Sequence, residues 1–342
     1  MRTVKTVLLV LGALLLAALV YWVGAGPILE TVRRLAWWQF LLVCLPYAVI
    51  MAFDTLAWRF AFARDRAPFM RLYGARMVGE ALNIVTAVGS VGGEAAKAWL
   101  VRRDVSYVES IPSIVIAKTT ITIAQALFLF IGIVFAWTSL DVDSQVLRGM
   151  LWLLVIEVAA VAGFFAAQLS GLVARAGRLL ETFGVVDDAS RATQLDEALR
   201  GYYRHEWRRF ALSVAFHLAG WLLGALEAFV MLWALGIDAS AVTATVIEAL
   251  GSGVRFATFL VPASLGAFEG ANAAAFGALG LGAGAGLAFS LFRRARQAVW
   301  VVVGIGVLLV MRAKSTRSDT EERRAEVVPG RAEPAPGPAA AA

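Results

Sequence analysis

Residues 258–270 read TFLVPASLGAFEG, a proline, several small residues and a glutamate set between two long apolar stretches. A soluble loop would carry more charge. A simple membrane span would carry neither the proline, which removes a backbone donor, nor the glutamate, which costs about 2.5–3.5 kcal/mol near the centre of a span. A pair of half-helices meeting inside the membrane tolerates both. Pro262 and the small residues end the first half-helix, and Glu269 opens the second, where its carboxylate complements the positive end of the helix dipole. Residues 241–282 then read as a re-entrant hairpin.

The remainder of the chain supports a membrane setting. Of 342 residues, 60% are hydrophobic and 16% charged, whereas soluble domains average about 45–50% apolar and about 25% charged. Mean hydropathy is +0.74. The formal net charge of +6 could suit nucleic acid, but the Lys and Arg residues flank apolar runs, which fits an anionic lipid surface and the positive-inside rule. Membrane lipids, not nucleic acid, are the expected partners. A single cysteine, Cys44, excludes an internal disulfide and a cysteine-based metal site.

Segments long enough to cross a hydrocarbon core of about 30 Å lie at about 6–24, 38–62, 110–137, 147–169, 210–235 and 285–311. The first reads as an uncleaved helix in preference to a signal peptide. A second interrupted stretch, 77–100, breaks at GSVGGE (89–94) and forms a matching hairpin. The fold class is therefore all-α and polytopic: about six long transmembrane helices plus two re-entrant hairpins of half-helices. The connections at 138–146 and 236–240 lack Lys and Arg, whereas 59–76, 102–103, 170–209 and the tail are rich in Arg. That asymmetry places both termini and the 170–209 loop in the cytoplasm. Parity then requires the first hairpin to enter from inside and the second from outside, as an inverted-topology repeat would give. The 170–209 loop reads as a solvated connector with short surface helices. The polar, then Pro/Ala-rich, segment 313–342 reads as a disordered cytoplasmic tail.

The two halves match locally as well. In each hairpin a Ser and a Gly precede a glutamate, and a polar residue follows at i+3: Glu94 with Lys97, and Glu269 with Asn272. Ionisable groups inside spans face a cavity or a partner, and here they include Asp54, Glu80, Lys118, Glu157, His217, Glu227, Glu248, Arg255 and Glu269. Lys118, Thr122 and Gln125 share one helical face, as do Glu248, Ser252 and Arg255. These stripes line either a hydrated path or a structural helix contact. Glu80 and Asn83 precede the first turn, and Arg293 and Arg294 belong to FRRARQ (292–297). The arginines sit either at the headgroup level or in a basic cluster inside the fold. Glu94 and Glu269 either cap their half-helices or serve as gating or proton-coupling groups. The D-x-D at Asp141–Asp143 resembles a metal-holding pattern of membrane glycosyltransferases, but has no further ligand nearby. With no P-loop, zinc motif or nucleophile elbow in the sequence, no cofactor or metal is expected, and energy comes from an ion gradient or the lipid gradient itself.

GEALNIVTAVGSVGGEAAKAWLVRR (79–103) and FLVPASLGAFEGANAAAFGALGLGAGAGLAFSLFRRARQ (259–297) resemble the two motifs of the flippase-like family named after the lysylphosphatidylglycerol synthase transmembrane region. HLAGWLLGALEAFVMLWALG (217–236) is similar to its hopanoid-biosynthesis-associated subgroup. The likeness spans roughly residues 5–312. The chain departs at TAVGS (86–90), where many relatives keep a proline. The resemblance implies an inner-membrane protein that handles lipids as a translocase, with lipid-biosynthesis enzymes as candidate partners. Two other functions stay open at this point: a membrane enzyme using a lipid-linked donor, and a non-catalytic partner of a lipid-biosynthesis complex. The residues expected to bind or gate are Glu80, Asn83, Glu94, Lys97, Lys118, Glu248, Arg255, Pro262, Glu269, Arg293 and Arg294.

Overall fold

A computed structural model describes residues 37–65, 67–85, 91–139, 144–182, 190–259 and 261–327. The predicted span at 6–24, the TAVGS turn of the first hairpin and Asp141–Asp143 lie outside the described residues. Among those described, the chain forms eleven α-helices and no strand: α1 (Trp37–Phe60), α2 (Phe69–Val85), α3 (Val91–Val101), α4 (Tyr107–Ser139), α5 (Ser144–Ser170), α6 (Leu172–Thr182), α7 (Ser190–His205), α8 (Trp207–Ala234), α9 (Ala241–Ala257), α10 (Ala267–Ala278) and α11 (Ala283–Val327). Helices α1, α4, α5, α8 and α11 are long and apolar enough to cross a membrane, and they coincide with the other five predicted spans. The backbone of α11 stays helical through Val327, past residue 313 where a disordered tail is expected.

Four shorter helices lie where the two hairpins are expected, and they pack in pairs, α2 with α3 and α9 with α10. With 11 and 12 residues, α3 and α10 extend only about 17–18 Å at 1.5 Å per residue, roughly half of the hydrocarbon core.

Side-chain registers fix how the elements run. Helices α1 and α8 are antiparallel, with Trp38 against Trp233 at one end and Phe60 stacked on Phe216 towards the other. Helices α4 and α8 are parallel, since Thr120 meets Ser213 and Phe128 meets Trp221. Helix α11 runs parallel to α1, through Phe40 with Phe292 and Tyr47 with Trp300. Helix α2 is antiparallel to α11, with Gly74 beside Met311 and Ala81 beside Gly304. Helix α9 is antiparallel to α4, with Ala249 at Gly132 and Ser252 at Gln125. It follows that α2 and α9, the first half-helices of the two hairpins, point in opposite directions along the bundle. That is the relation an inverted repeat produces. The long helix after each hairpin packs on the first half-helix of the other: α4 on α9, and α11 on α2.

Both exchanged contacts depend on a glycine. A Cβ at Gly132 would lie 2.3 Å from the Ala249 Cβ, and one at Gly304 would lie 2.6 Å from the Ala81 Cβ. A methyl group at either site must therefore push the paired helices apart, an overpacking that costs about 1–3 kcal/mol. Gly132→Ala is expected to lower the unfolding midpoint in detergent. Gly306→Ala, whose added Cβ meets nothing within 4 Å, should be neutral or stabilising through the better helix propensity of alanine.

The 170–209 segment is more than a connector. Leu199 and Tyr202 of α7 are buried in one hydrophobic cluster with Trp58, Leu72 and Val101. The Tyr202 hydroxyl donates to the Phe60 carbonyl at 2.8 Å, and the Tyr203 hydroxyl donates to Gln168 Oε1 at 2.6 Å. Burial pushes the Tyr203 phenol up to about 12, so it remains a donor. Asp196 accepts from the Ala174 amide at 2.8 Å and ties α6 to α7.

Candidate functional site

A cavity of about 470 Å3 opens among α1, α2, α4, α8, α9, α10 and α11, within the roughly 300–1,000 Å3 of typical small-molecule sites. Its walls combine apolar groups such as Ile121, Trp221 and Phe268 with titratable side chains from both hairpins. Each hairpin contributes one glutamate at the start of its second half-helix, Glu94 half-buried and Glu269 fully buried.

In the second hairpin the chain leaves α9 and turns through Pro262–Ser264. Ala263 and Ser264 hold φ of 52° and 49°, left-handed values that are uncommon away from glycine. Gly266 follows at φ 79° and supplies the amide that needs a cap. Glu269, 0% exposed, accepts from that Gly266 N–H through Oε2 at 2.7 Å. Its Oε1 accepts from Arg294 Nε at 2.8 Å. This glutamate caps α10, one of the roles open for it, and also neutralises a cation from α11. Asn272, three residues on, donates to Ser290 Oγ at 2.8 Å and ties α10 to α11.

The first hairpin repeats the arrangement with different atoms. Asn83 of α2 accepts from the Gly93 amide at 2.9 Å, and thereby caps α3 from outside it. Glu94 pairs with Lys97 on its own helix and with Lys118 Nζ of α4 at 2.9 Å. The glutamate-to-cation step into the following long helix is 24 residues for Glu94 to Lys118 and 25 for Glu269 to Arg294. Both reach the same place in their half of the fold.

The arginines of FRRARQ are paired inside the helical bundle. Arg293 Nη2 lies 2.5 Å from Glu248 Oε2, Arg294 meets Glu269, and Arg296 donates to Glu227 Oε1 at 2.7 Å. Arg255 of α9 donates to the other Glu248 oxygen at 2.9 Å. The Phe268 ring sits among Arg255, Arg293 and Arg294 at 5.0, 5.9 and 5.9 Å, within cation–π range. Arg296 covers Tyr47 at 4.1 Å. A further chain of polar groups crosses α1, α2 and α8: Asp54 accepts from Arg76 Nη2 at 2.7 Å and lies 3.1 Å from His217 Nδ1.

Of the residues expected at the site, Glu80, Asn83, Lys118, Glu248, Arg255, Arg293 and Arg294 line the cavity. Glu94, Lys97 and Glu269 sit behind its wall and hold those that do. Pro262 begins the left-handed turn beside it. Thr122 and Gln125 line it too, and Gln125 donates to the Ser252 carbonyl at 2.8 Å, which joins the two polar stripes. Asp54, Arg76, Glu227, Arg296 and Tyr47 also line it without having been assigned to it from the sequence. Asp54 and Glu227 are visible as in-span charges, but their partners lie on other helices. Arg76 reads as belonging to an Arg-rich flank and instead lies within α2, paired to Asp54.

Seven cations (Arg76, Lys97, Lys118, Arg255, Arg293, Arg294, Arg296) therefore surround six carboxylates (Asp54, Glu80, Glu94, Glu227, Glu248, Glu269) in and behind the wall. Glu94 and Glu248 each serve two cations. In each pair one cation is buried, Lys97 at 4% and Arg293 at 9%, and the other is more accessible, Lys118 at 39% and Arg255 at 32%.

Fold and site together define a polytopic helical membrane protein built around a charged internal cavity. The chain matches the family model described as the lysylphosphatidylglycerol synthase TM region over residues 8–306, and it belongs to that family of membrane proteins involved in lipid handling. No curated protein and no solved structure matches the chain.

Proposed function

We propose that this protein is a lipid transporter of the flippase type, which passes the polar headgroup of an amphipathic lipid through the cavity between the two hairpins. The lipid is a phospholipid, a polyisoprenoid-linked lipid or a hopanoid, moved across or within the cell inner membrane, with both termini cytoplasmic and the hairpins re-entrant. The sharing of glutamates supports this reading best. Lys118 and Arg255 can each turn from its carboxylate to a headgroup oxygen without stranding it, because Lys97 and Arg293 remain in place. The excess of cations over carboxylates favours an anionic or phosphate-bearing headgroup. Glu269 and Glu94 hold the half-helix ends against the cavity and gate it.

Replacing the two accessible cations should therefore impair transport and spare folding. Lys118→Ala and Arg255→Ala are each expected to slow lipid translocation about tenfold, equivalent to about 1.4 kcal/mol, with little change in unfolding midpoint. Lipid profiling of a strain lacking the protein tests the class of function. A normal lipid inventory with an altered distribution between leaflets agrees with transport. Disappearance of a lipid species, with its precursor accumulating, would instead identify an enzyme.

A further inference from the structure

The charged groups of the cavity wall all have partners or face the cavity, but one acidic side chain does neither. Glu157 lies at the middle of α5, at 0% exposure, and both of its carboxyl oxygens lack a hydrogen-bond partner among the described residues. Its surroundings follow from the helix periodicity. Met150 and Gln168 are buried, and Leu154, Val161 and Phe165 are half-buried on the same face. Leu151, Trp152, Val155, Ile156 and Val158 on the other faces are exposed, as expected of a lipid-facing surface. One turn before Glu157, Leu153 rests on Gly253 of α9 together with Leu129 of α4. Glu157 thus lies on the α4/α9 side of α5, and those are the helices that carry Lys118 and Arg255 to the cavity.

No titratable group of the elements packed on α5 meets either Glu157 oxygen among the described residues. Lys118 of α4 meets Glu94, and Glu248 and Arg255 of α9 meet each other. On α7, Asp196 holds the Ala174 amide and Tyr203 holds Gln168, near the end of α5. Arg175, Arg178 and Glu181 of α6 follow Ser170, itself thirteen residues beyond Glu157. A carboxylate with no countercharge and no donor is not sustained in a dry, apolar seam.

We propose that Glu157 is a proton-binding site whose occupancy is linked to the position of α5 against the α4/α9 wall. Protonation forms one O–H bond on a carboxylate oxygen, with the proton drawn from water, and nothing is oxidised or reduced. The neutral acid permits the packed arrangement. Loss of the proton demands hydration, and hydration demands that α5 move off α4 and α9. A proton gradient thereby biases the two arrangements by its differential affinity for them. The binding site stands on burial alone, and its coupling to transport rests on the function proposed above.

The test uses the full chain in liposomes with two readouts. Infrared difference spectra between low and high pH report the C=O stretch of a protonated carboxyl. The wild type should show such a band, and Glu157→Gln, which keeps the shape and lacks the proton, should lose it. Identical spectra for the two proteins would overturn the site. In the same vesicles an imposed pH gradient should accelerate lipid translocation several-fold in the wild type and leave Glu157→Gln at a gradient-independent rate. An unchanged gradient response in that variant would overturn the coupling. If wild-type vesicles translocate no lipid, the proposed function fails, while the infrared readout still decides the site.

Discussion

Glu248→Ala is expected to be among the most damaging single substitutions in the chain. Glu248 is buried and neutralises two guanidinium groups, Arg255 at 2.9 Å and Arg293 at 2.5 Å. Removing one partner of a buried pair costs about 3–5 kcal/mol, because the remaining charge stays desolvated and uncompensated. Here two cations are left, and Arg293 is the deeper of them. The variant should fail to accumulate as folded protein or lose much of its unfolding midpoint in detergent. A double-mutant cycle isolates the cause. Adding Arg293→Ala to Glu248→Ala should cost far less than the sum of the two single changes, since the second deletion removes a charge that the first left unpaired. Strict additivity would show that the contact contributes little.

Glu269→Ala is the second large effect. It removes the acceptor of the Gly266 amide and the partner of Arg294 together. Loss of the cap costs about 1 kcal/mol, and loss of the buried pair a further 3–5 kcal/mol or so. Glu269→Gln separates the two roles. Glutamine still accepts from Gly266 through its amide oxygen but carries no charge for Arg294. It should fold better than the alanine variant and still translocate lipid poorly. Adding Arg294→Gln to Glu269→Gln should restore much of the stability, because no guanidinium is then left without a partner. If both single variants behave alike in stability, the cap has no separate weight.

The spans were legible in the sequence because span length is a property of local composition, and five of the six predicted coincide with long apolar helices. The short helices were legible for a related reason: glycine and proline interrupt the apolar runs, and helices of 11 and 12 residues follow the breaks. The partners inside the bundle were not. Asp54 lies 163 residues from His217, and Glu227 lies 69 from Arg296, so no periodicity relates them. His217 and Glu227 share α8, yet each is met by a different helix, Asp54 of α1 and Arg296 of α11. Arg76 follows an arginine-rich stretch and so read as a cytoplasmic flank, although it lies about two turns into α2 and pairs there with Asp54. The apolar positions of α7 were visible, yet a short helix with many charges does not reveal that Leu199 and Tyr202 are covered by α1 and its neighbours.

The central claim is that a lipid headgroup crosses the bilayer through the cavity between the hairpins. Translocation in proteoliposomes measures this most directly, with a fluorophore on the acyl chain, the native headgroup intact and an impermeant reductant outside. Wild-type vesicles should expose inner-leaflet lipid to the reductant well above protein-free vesicles for at least one phosphate-bearing lipid, and vesicles with Lys118→Ala and Arg255→Ala combined should not. No crossing above the protein-free rate for any phospholipid, polyisoprenoid phosphate or hopanoid, or wild-type crossing in the double variant, would contradict it.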